Sequence, residues 1–355
     1  MFTKIDNAYK IGCGRLIFED HAMDRLPDEI KRLGRKVYLV TGEHAWAADG
    51  DRVSDLLNRA GIPFKLDVYI GPCSVEKANE IAAECKKQDC DIVMGLGGGR
   101  IMDLAKTAAN VADLHLINVP TIAATCASYT PLAIMYFPDW AYRCNWYFKR
   151  EIDCVICDIS ILSREQKRYL AAGILDSMAK WVEINHFAYR VPDAGPDELL
   201  ARSLAKGMYD ELMRDCLSAI GGDAKAIRNI VFHNIVTTGI ISGIARGAFQ
   251  AALAHALYYA VRAMYPKESK PILHGEIVSV GMLFQALYLG NTEQEKELRD
   301  LMVKMNMPLS LKDIHVPTDA ETLRAFAGYP AVTKHYYENG LKEEDAIKLL
   351  ESLKQ

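Results

Sequence analysis

Three residues in the second half of the chain could together form a metal site: Asp176 in AAGILDSMAKWVE, His255 in AALAHALYY and His274 in PILHGE. A carboxylate and two imidazoles combine hard and borderline donors, a set suited to a divalent cation. Three protein ligands also leave coordination room for a substrate oxygen, which a Lewis-acid catalyst needs. Taken singly, each residue reads first as structure, since one imidazole sits on an otherwise apolar helix and the other precedes a glycine. Lys180 follows Asp176 by four residues, one turn along the same helix face. It can pair with a substrate carboxylate, or simply with Asp176 or Glu183. The remaining histidines match no motif and read as surface or core residues.

An earlier segment offers different chemistry. GLGGGRIMDLAKTAAN, residues 95–110, follows an apolar run and opens a helix. Gly97, Gly98 and Gly99 remove Cβ from the turn, so backbone N–H groups can approach an anion, and the helix N-terminus adds a favourable dipole. A pyrophosphate fits such a turn. The spacing is GxGGG rather than GxGxxG, so a tight strand-to-helix connection explains the same pattern. Cys154 and Cys157 have CxxC spacing but lie in EIDCVICDIS, an alternating apolar run that reads as strand. A redox pair would open a helix and a zinc site would need a second pair, so these read as two strand cysteines.

Such residues need elements to hold them. Up to about residue 160, short β-rich runs (KVYLVT at 36–41, FKLDVYIG at 64–71, DIVMGLGGG at 91–99, LHLINVP at 114–120, IDCVICD at 152–158) alternate with helical stretches such as VSDLLNRAGI and SVEKANEIAAECKKQD. This alternation predicts a parallel sheet covered on both faces. Beyond about residue 162 come long helical stretches, with loops at 192–197 and 265–271 and a last amphipathic surface helix in ENGLKEEDAIKLLESLKQ. The expected fold class is α/β. A parallel-sheet dinucleotide-binding domain spans residues 1–162, and an all-helical metal and substrate domain spans 163–355.

The 355 residues, 50% hydrophobic and 25% charged, suit about two domains. Lys plus Arg number 42 against 46 Asp plus Glu, a net charge of −4 without a long like-charge run. That balance argues against nucleic acid or a membrane as partner and for a small soluble molecule. Apolar stretches stop short of the roughly 18 residues of a membrane span. The start, MFTKIDNAYKIGCGR, lacks the apolar core of a secretory signal, and nine scattered cysteines read as reduced thiols. The expected location is the cytoplasm.

GGGRIMDLAK followed closely by VPTIAATCASYTPLAIMY resembles the glycerol dehydrogenase and iron-containing alcohol dehydrogenase superfamily, and the separate motifs occur in the family's order over nearly the whole chain. Members carry a GGGxxxDxAK loop on a parallel-sheet domain, a PTIAST-like strand end lining the nicotinamide cleft, and a helical domain holding a divalent metal. Dehydroquinate synthase shares that architecture. The resemblance implies that Gly97, Gly98 and Gly99 cradle the pyrophosphate of NAD or NADP, and that Asp103 and Lys106 help hold the loop and the cofactor end of the cleft. It further implies nucleotide contacts from Thr121, Ala124, Thr130, Leu132 and Tyr136. AAGxxD, AAxAHA and LHGE are the family's metal motifs, which makes Asp176, His255 and His274 the metal ligands. Iron-type members add a histidine one turn after the aspartate. Lys180 stands there in this chain, which favours zinc over iron. Homo-oligomers are common in the family and are expected here.

Two departures bear on the ligands. After KVYLVT, an acidic residue would accept the adenosine ribose hydroxyls and repel a 2′-phosphate. This chain has Gly42, with Glu43 one place later, which leaves NADP open beside NAD. In glycerol dehydrogenases the cleft strand reads STDA and its aspartate helps recognise the polyol, whereas here TCAS puts Cys126 in that place. Losing the acceptor weakens polyol binding and removes repulsion against an anionic substrate. TCASYTPL is similar to a branch acting on 2-hydroxy and 2-oxo acids. The resemblance thus implies a metal-dependent, NAD(P)-linked oxidoreductase that moves a hydride between nicotinamide and a small alcohol or carbonyl, either a 2-hydroxy or 2-oxo acid or a small polyol. Asp176, His255 and His274 would form its catalytic centre, with Cys126 and Lys180 at the substrate. Glycerol dehydrogenase proper is one alternative. A synthase resembling dehydroquinate synthase is another, and would need several basic phosphate-binding residues. A non-catalytic module would require a broken triad, and this triad is whole.

Overall fold

The computed structural model describes residues 8–188, 194–245, 251–336 and 342–354. Among the described residues eight strands precede residue 159: β1 (Cys13–Glu19), β2 (Val37–Thr41), β3 (Phe64–Val68), β4 (Ile92–Gly97), β5 (His115–Pro120), β6 (Leu132–Tyr136), β7 (Tyr142–Tyr147) and β8 (Ile152–Asp158). Six of them form one sheet in the order β1-β8-β5-β4-β2-β3, every adjacent pair parallel, while β6 and β7 pair separately. β2 and β4 are buried at every position, as strands covered on both faces must be. Helices α1 (Leu26–Leu33), α2 (Glu43–Arg59), α3 (Val75–Lys87) and α4 (Gly99–Ala112) run between the strands. Ser74 starts α3 by accepting a hydrogen bond from the Lys77 amide. Leu39, Met94, Ile117, Ile156, Val53 and Leu57 belong to the core beneath them. Register places Thr41 opposite Leu96 and Gly97 opposite Pro120, so β2, β4 and β5 end side by side.

β1 and the β6–β7 pair have no counterpart among the strands expected from sequence. β1 is an edge strand of mixed exposure, and its CGRLIFE contains glycine and two charges. Aromatic and polar residues mingle in β7, which is half-exposed along most of its length. Neither shows the continuous apolar run of a central strand.

Helices follow β8: α5 (Ile159–Leu162), α6 (Lys167–Ala188), α7 (Pro196–Gly221), α8 (Ala224–Phe232), α9 (Thr238–Ala245), α10 (Leu253–Met264), α11 (His274–Tyr288), α12 (Thr292–Lys304), α13 (Ala320–Ala327), α14 (Pro330–Thr333) and α15 (Glu343–Ser352). A π-helical turn, His233–Thr237, joins α8 to α9. The chain divides into two compact units, Met1–Asp139 with Arg143–Gln166, and Trp140–Tyr142 with Lys167–Gln355. This division falls four residues beyond the expected 162 because the connector is tied to the first unit. Arg164 pairs with Asp49 at 3.0 Å, and Glu165 accepts from the Ala123 amide at 2.9 Å. The three residues 140–142 go with the helices: Lys270 Nζ sits 4.5 Å from the Trp140 ring centroid, and the Tyr142 and Tyr259 rings are 4.7 Å apart. Of the expected loop at 192–197, residues 192 and 193 lie outside the described residues and Pro196 already opens α7; 265–271 is turn structure. Residues 338–341 of the expected last helix also lie outside, and α15 buries Ala346 and Leu350. Among the described residues no helix is long and apolar enough to cross a membrane.

Candidate active site

In the helical unit, three helices bring Asp176 (α6), His255 (α10) and His274 (first residue of α11) together, with one ligand atom from each lying within 4.8 Å of the others. Asp176 Oδ1 is 3.2 Å from His274 Nε2 and 3.6 Å from His255 Nε2. That oxygen is buried and accepts no well-formed hydrogen bond. An orphaned carboxylate oxygen facing two imidazole nitrogens is what a bound divalent cation would satisfy, so these residues fit the metal their chemistry suggests. Burial pushes the Asp176 carboxyl upward, yet the two imidazoles and Lys180 outweigh it and hold the group well below its usual range. Tyr258 closes one side, its ring centroid 4.2 Å from that of His274.

Residues around the triad fix its geometry. Glu183, fully buried on α6, takes His255 Nδ1 at 2.5 Å and the backbone amides of Ala252 and His255 at 2.6 and 2.9 Å. Burial raises the Glu183 carboxyl, but His255 and Lys180 bring it below its ordinary value, and its carboxylate form is the acceptor that suits a proton on His255 Nδ1. The Nε2 lone pair is thereby left for the metal position. Gln285 accepts from the Leu253 and Ala254 amides at 3.0 and 3.3 Å, so two side chains from neighbouring helices cap the start of α10. At the start of α11, Glu276 accepts from the Leu273 amide at 2.7 Å and is gripped by Arg168 through two hydrogen bonds of 2.6 and 2.7 Å. A Cβ on Gly275 would lie 1.9 Å from the Ala172 carbonyl oxygen. The expected LHGE motif thus combines a ligand, a close helix contact and a cap.

In the sheet unit, Gly97 ends β4 with φ +152° and Gly98 stands at the N-terminus of α4 with no side chain capping the helix. Cβ atoms at Gly98 and Gly99 would approach Ile122 Cδ1 at 2.8 Å and Thr125 Oγ1 at 2.7 Å. The loop is therefore a cradle that side chains would fill, and it fits a pyrophosphate. Asp103 and Lys106 lie behind it rather than in it. Lys106 is almost wholly buried, pairs with Asp103 at 2.8 Å and donates to the carbonyls of Thr130 and Leu132, while Asp103 accepts from the Ile134 amide at 3.0 Å. Together they pin the segment after β5 to α4. Thr121 is half-buried and its amide donates to the Gly97 carbonyl at 3.0 Å, beside the cradle. Ala124 and Thr130 are buried, and Leu132 and Tyr136 are half-buried on β6. Cys126 is half-buried, and its carbonyl closes a turn with the Tyr129 and Thr130 amides.

The sequence pattern of the iron-containing alcohol dehydrogenase family matches residues 13–159. Hydroxycarboxylate dehydrogenase A of Escherichia coli (strain K12) is 27% identical over 94% of this chain and 94% of its own length. Glycerol dehydrogenase 1 of Schizosaccharomyces pombe is 26% identical over 94% of this chain and 77% of its own length. The crystal structure of S. pombe glycerol dehydrogenase superposes with a TM-score of 0.84 at 23% identity, covering 99% of this chain and 91% of that one, which shows the shared fold. Over nearly its whole length the chain is thus similar to glycerol dehydrogenases and hydroxycarboxylate dehydrogenase, and over residues 13–159 it matches the iron-containing alcohol dehydrogenase pattern. These likenesses make it an oxidoreductase of the alcohol dehydrogenase type, acting on CH–OH groups.

The residues that sequence reading passed over are those whose task is to hold others. Glu183 had one visible signal. With Asp176 and Lys180 it forms an i, i+4, i+7 polar stripe on the otherwise apolar α6. Gln285 and Arg168 had none, because their partners lie 32 and 108 residues away. Glu165 is a further case: burial pushes its carboxyl up to about 8, only partly opposed by the Ala123 amide.

Proposed function

We propose that the protein interconverts 2-hydroxy acids and 2-oxo acids, using a nicotinamide dinucleotide and one zinc ion held by Asp176, His255 and His274. Lys180 carries this reading. It is 6% exposed, shares a helix face with Asp176 and Glu183, and forms no hydrogen bond or ion pair among the described residues. Its charge nevertheless acts on Asp176, Glu183, His255 and His274 alike. A buried ammonium without a bonded partner is costly, and a substrate carboxylate would offset that cost. Lys180 also occupies the helix turn where a fourth ligand would stand, which supports a three-ligand zinc centre.

When bound, the ion supplies Lewis acidity toward the substrate oxygen and the nicotinamide supplies the hydride acceptor. The chain's own residues do the positioning. Lys180 would bind the carboxylate and so turn the adjacent C–H and C–O bonds of the substrate, Glu183 would keep His255 in its ligand tautomer, and the Tyr258 ring would exclude water beside His274. The similarity to glycerol dehydrogenases favours a second reading, a small polyol. A zinc-replete assay decides between them, with NADH and NADPH offered against 2-oxobutyrate, dihydroxyacetone and a neutral aldehyde. Turnover should be best with the oxo acid, and Lys180→Ala should raise its KM about tenfold or more, the loss of one charge-assisted hydrogen bond. The aldehyde KM should barely move. Equal effects on both, or dihydroxyacetone as the best substrate, would overturn the oxo-acid reading.

A further inference from the structure

We propose that Arg262 is a positioning residue for the third metal ligand: it ties down the chain entering α11 and backs the Tyr258 ring that packs on His274. The inference rests on the metal reading of the triad and adds what orients its least supported member. His255 is turned by the hydrogen bond between its Nδ1 and Glu183. Among the described residues no hydrogen bond reaches Nδ1 of His274, whose Nε2 faces Asp176 at 3.2 Å. A metal-binding imidazole ordinarily takes its orientation from such a bond. Here the contacts that can set it are an aromatic ring and the loop before the helix.

Both lead back to Arg262. Its guanidinium carbon lies 5.6 Å from the centroid of the buried Tyr258 ring, and that ring meets His274 edge to face at 4.2 Å between centroids. Nη1 donates to the Ser269 carbonyl at 2.6 Å and the Ser269 hydroxyl at 3.2 Å, while Nη2 donates to the Ile272 carbonyl at 2.6 Å. Ile272 stands two residues before His274, so holding its carbonyl holds the backbone from which the ligand departs. The Ser269 hydroxyl donates in turn to the Tyr265 carbonyl at 2.6 Å, and Arg168 on α6 takes the Pro271 carbonyl at 3.0 Å. Among the described residues Arg262 forms no ion pair, so its charge acts on carbonyls and a ring face rather than on a carboxylate. Only a planar fork can reach two carbonyls while its face covers a ring, which a lysine ammonium cannot do. His255, Tyr258 and Arg262 fall at i, i+3 and i+7 on α10, one stripe of the helix. The helix that supplies one ligand thereby sets another.

Zinc affinity of the purified full chain, read by competition with a chromogenic chelator, tests this together with the visible absorption of the cobalt(II)-loaded protein. Arg262→Met should weaken zinc about tenfold or more, the loss usual for an outer partner, and alter the cobalt spectrum. In metal-free protein it should also speed amide hydrogen exchange across residues 269–273. Tyr258→Leu should weaken zinc to a similar degree, whereas Tyr258→Phe, which keeps the ring, should bind as the unmodified protein does. Arg262 and Tyr258 act on one ligand, so Arg262→Met combined with Tyr258→Leu should lose no more than the worse single variant. Arg262→Met combined with Glu183→Gln, which acts on His255, should lose the product of the two separate effects. The two Tyr258 variants decide the matter should Arg262→Met not fold, as circular dichroism would show. Unchanged zinc affinity in folded Arg262→Met, equal losses in Tyr258→Phe and Tyr258→Leu, or multiplying losses in the Arg262 and Tyr258 double variant would overturn the proposal and leave the metal reading standing. Failure of the unmodified protein to bind zinc would overturn both.

Discussion

His255 can present either ring nitrogen, and Glu183 decides which. Its ionised carboxylate can only accept, so the 2.5 Å contact places the proton on Nδ1 and turns Nε2 toward Asp176. Glu183→Gln keeps an oxygen for the Ala252 and His255 amides but removes the charge that makes the imidazole a stronger ligand. Zinc affinity should fall about 10- to 100-fold, the usual cost of a lost outer partner. Competition with a chromogenic chelator measures it, circular dichroism checks that the helices persist, and an unchanged affinity would refute the assignment. Legibility at this scale followed motif more than chemistry. Asp176, His255 and His274 each read first as structure, and the resemblance to the family's metal motifs singled them out. Lys106 and Asp103 were visible as charges near the glycine loop, yet in the structure they serve as buried pins. Sequence shows that a charge is present but not whether it faces ligand or backbone.

Helix spacing decides whether three ligands converge. α11 approaches α6 and α10 closely enough that Cβ atoms on Gly275 and Gly281 would reach the carbonyl oxygens of Ala172 and Ala254 at 1.9 and 2.4 Å. Both obstacles are backbone, so a methyl group cannot be absorbed by a side-chain rotation. Gly281→Ala should therefore push α10 from α11, separating His255 from His274. We expect a loss of about 1–3 kcal/mol, typical of overpacking, together with weakened zinc binding. Thermal melts with and without zinc test it, and a variant that keeps both stability and zinc affinity would contradict this packing. The same close approach explains why some elements were easier to anticipate than others. β2, β4, β5 and β8 are mostly or wholly buried, and their apolar runs announced them. β1 at the sheet edge and the half-exposed β7 face two environments, and their mixed composition gave no periodic signal. Gly275 and Gly281 look like ordinary helix glycines until a neighbouring backbone is placed beside them.

At the scale of the molecule, the two candidate ligand sites fall in different compact units: the glycine cradle in the first, the metal triad in the second. Each unit has its own buried apolar residues, Leu39 and Met94 in one, Val280 and Phe284 in the other. Ligand binding stabilises the unit that holds it by RT ln(1 + [L]/Kd), about 2.7 kcal/mol at a hundredfold excess over Kd. For a unit of 150–250 residues, each kcal/mol moves the midpoint by about 2–4 °C, so the expected shift is about 5–10 °C. Calorimetry of metal-free protein should resolve two transitions. Zinc should raise one of them by that amount and NADPH the other, and Asp176→Ala should abolish the zinc shift while leaving the NADPH shift intact. The residue-level assignments predict this separation because no proposed metal ligand lies in the sheet unit and no proposed dinucleotide contact lies in the helical unit. Zinc and NADPH moving the same transition, or a zinc shift that survives Asp176→Ala, would show that the division of labour between the units is wrong.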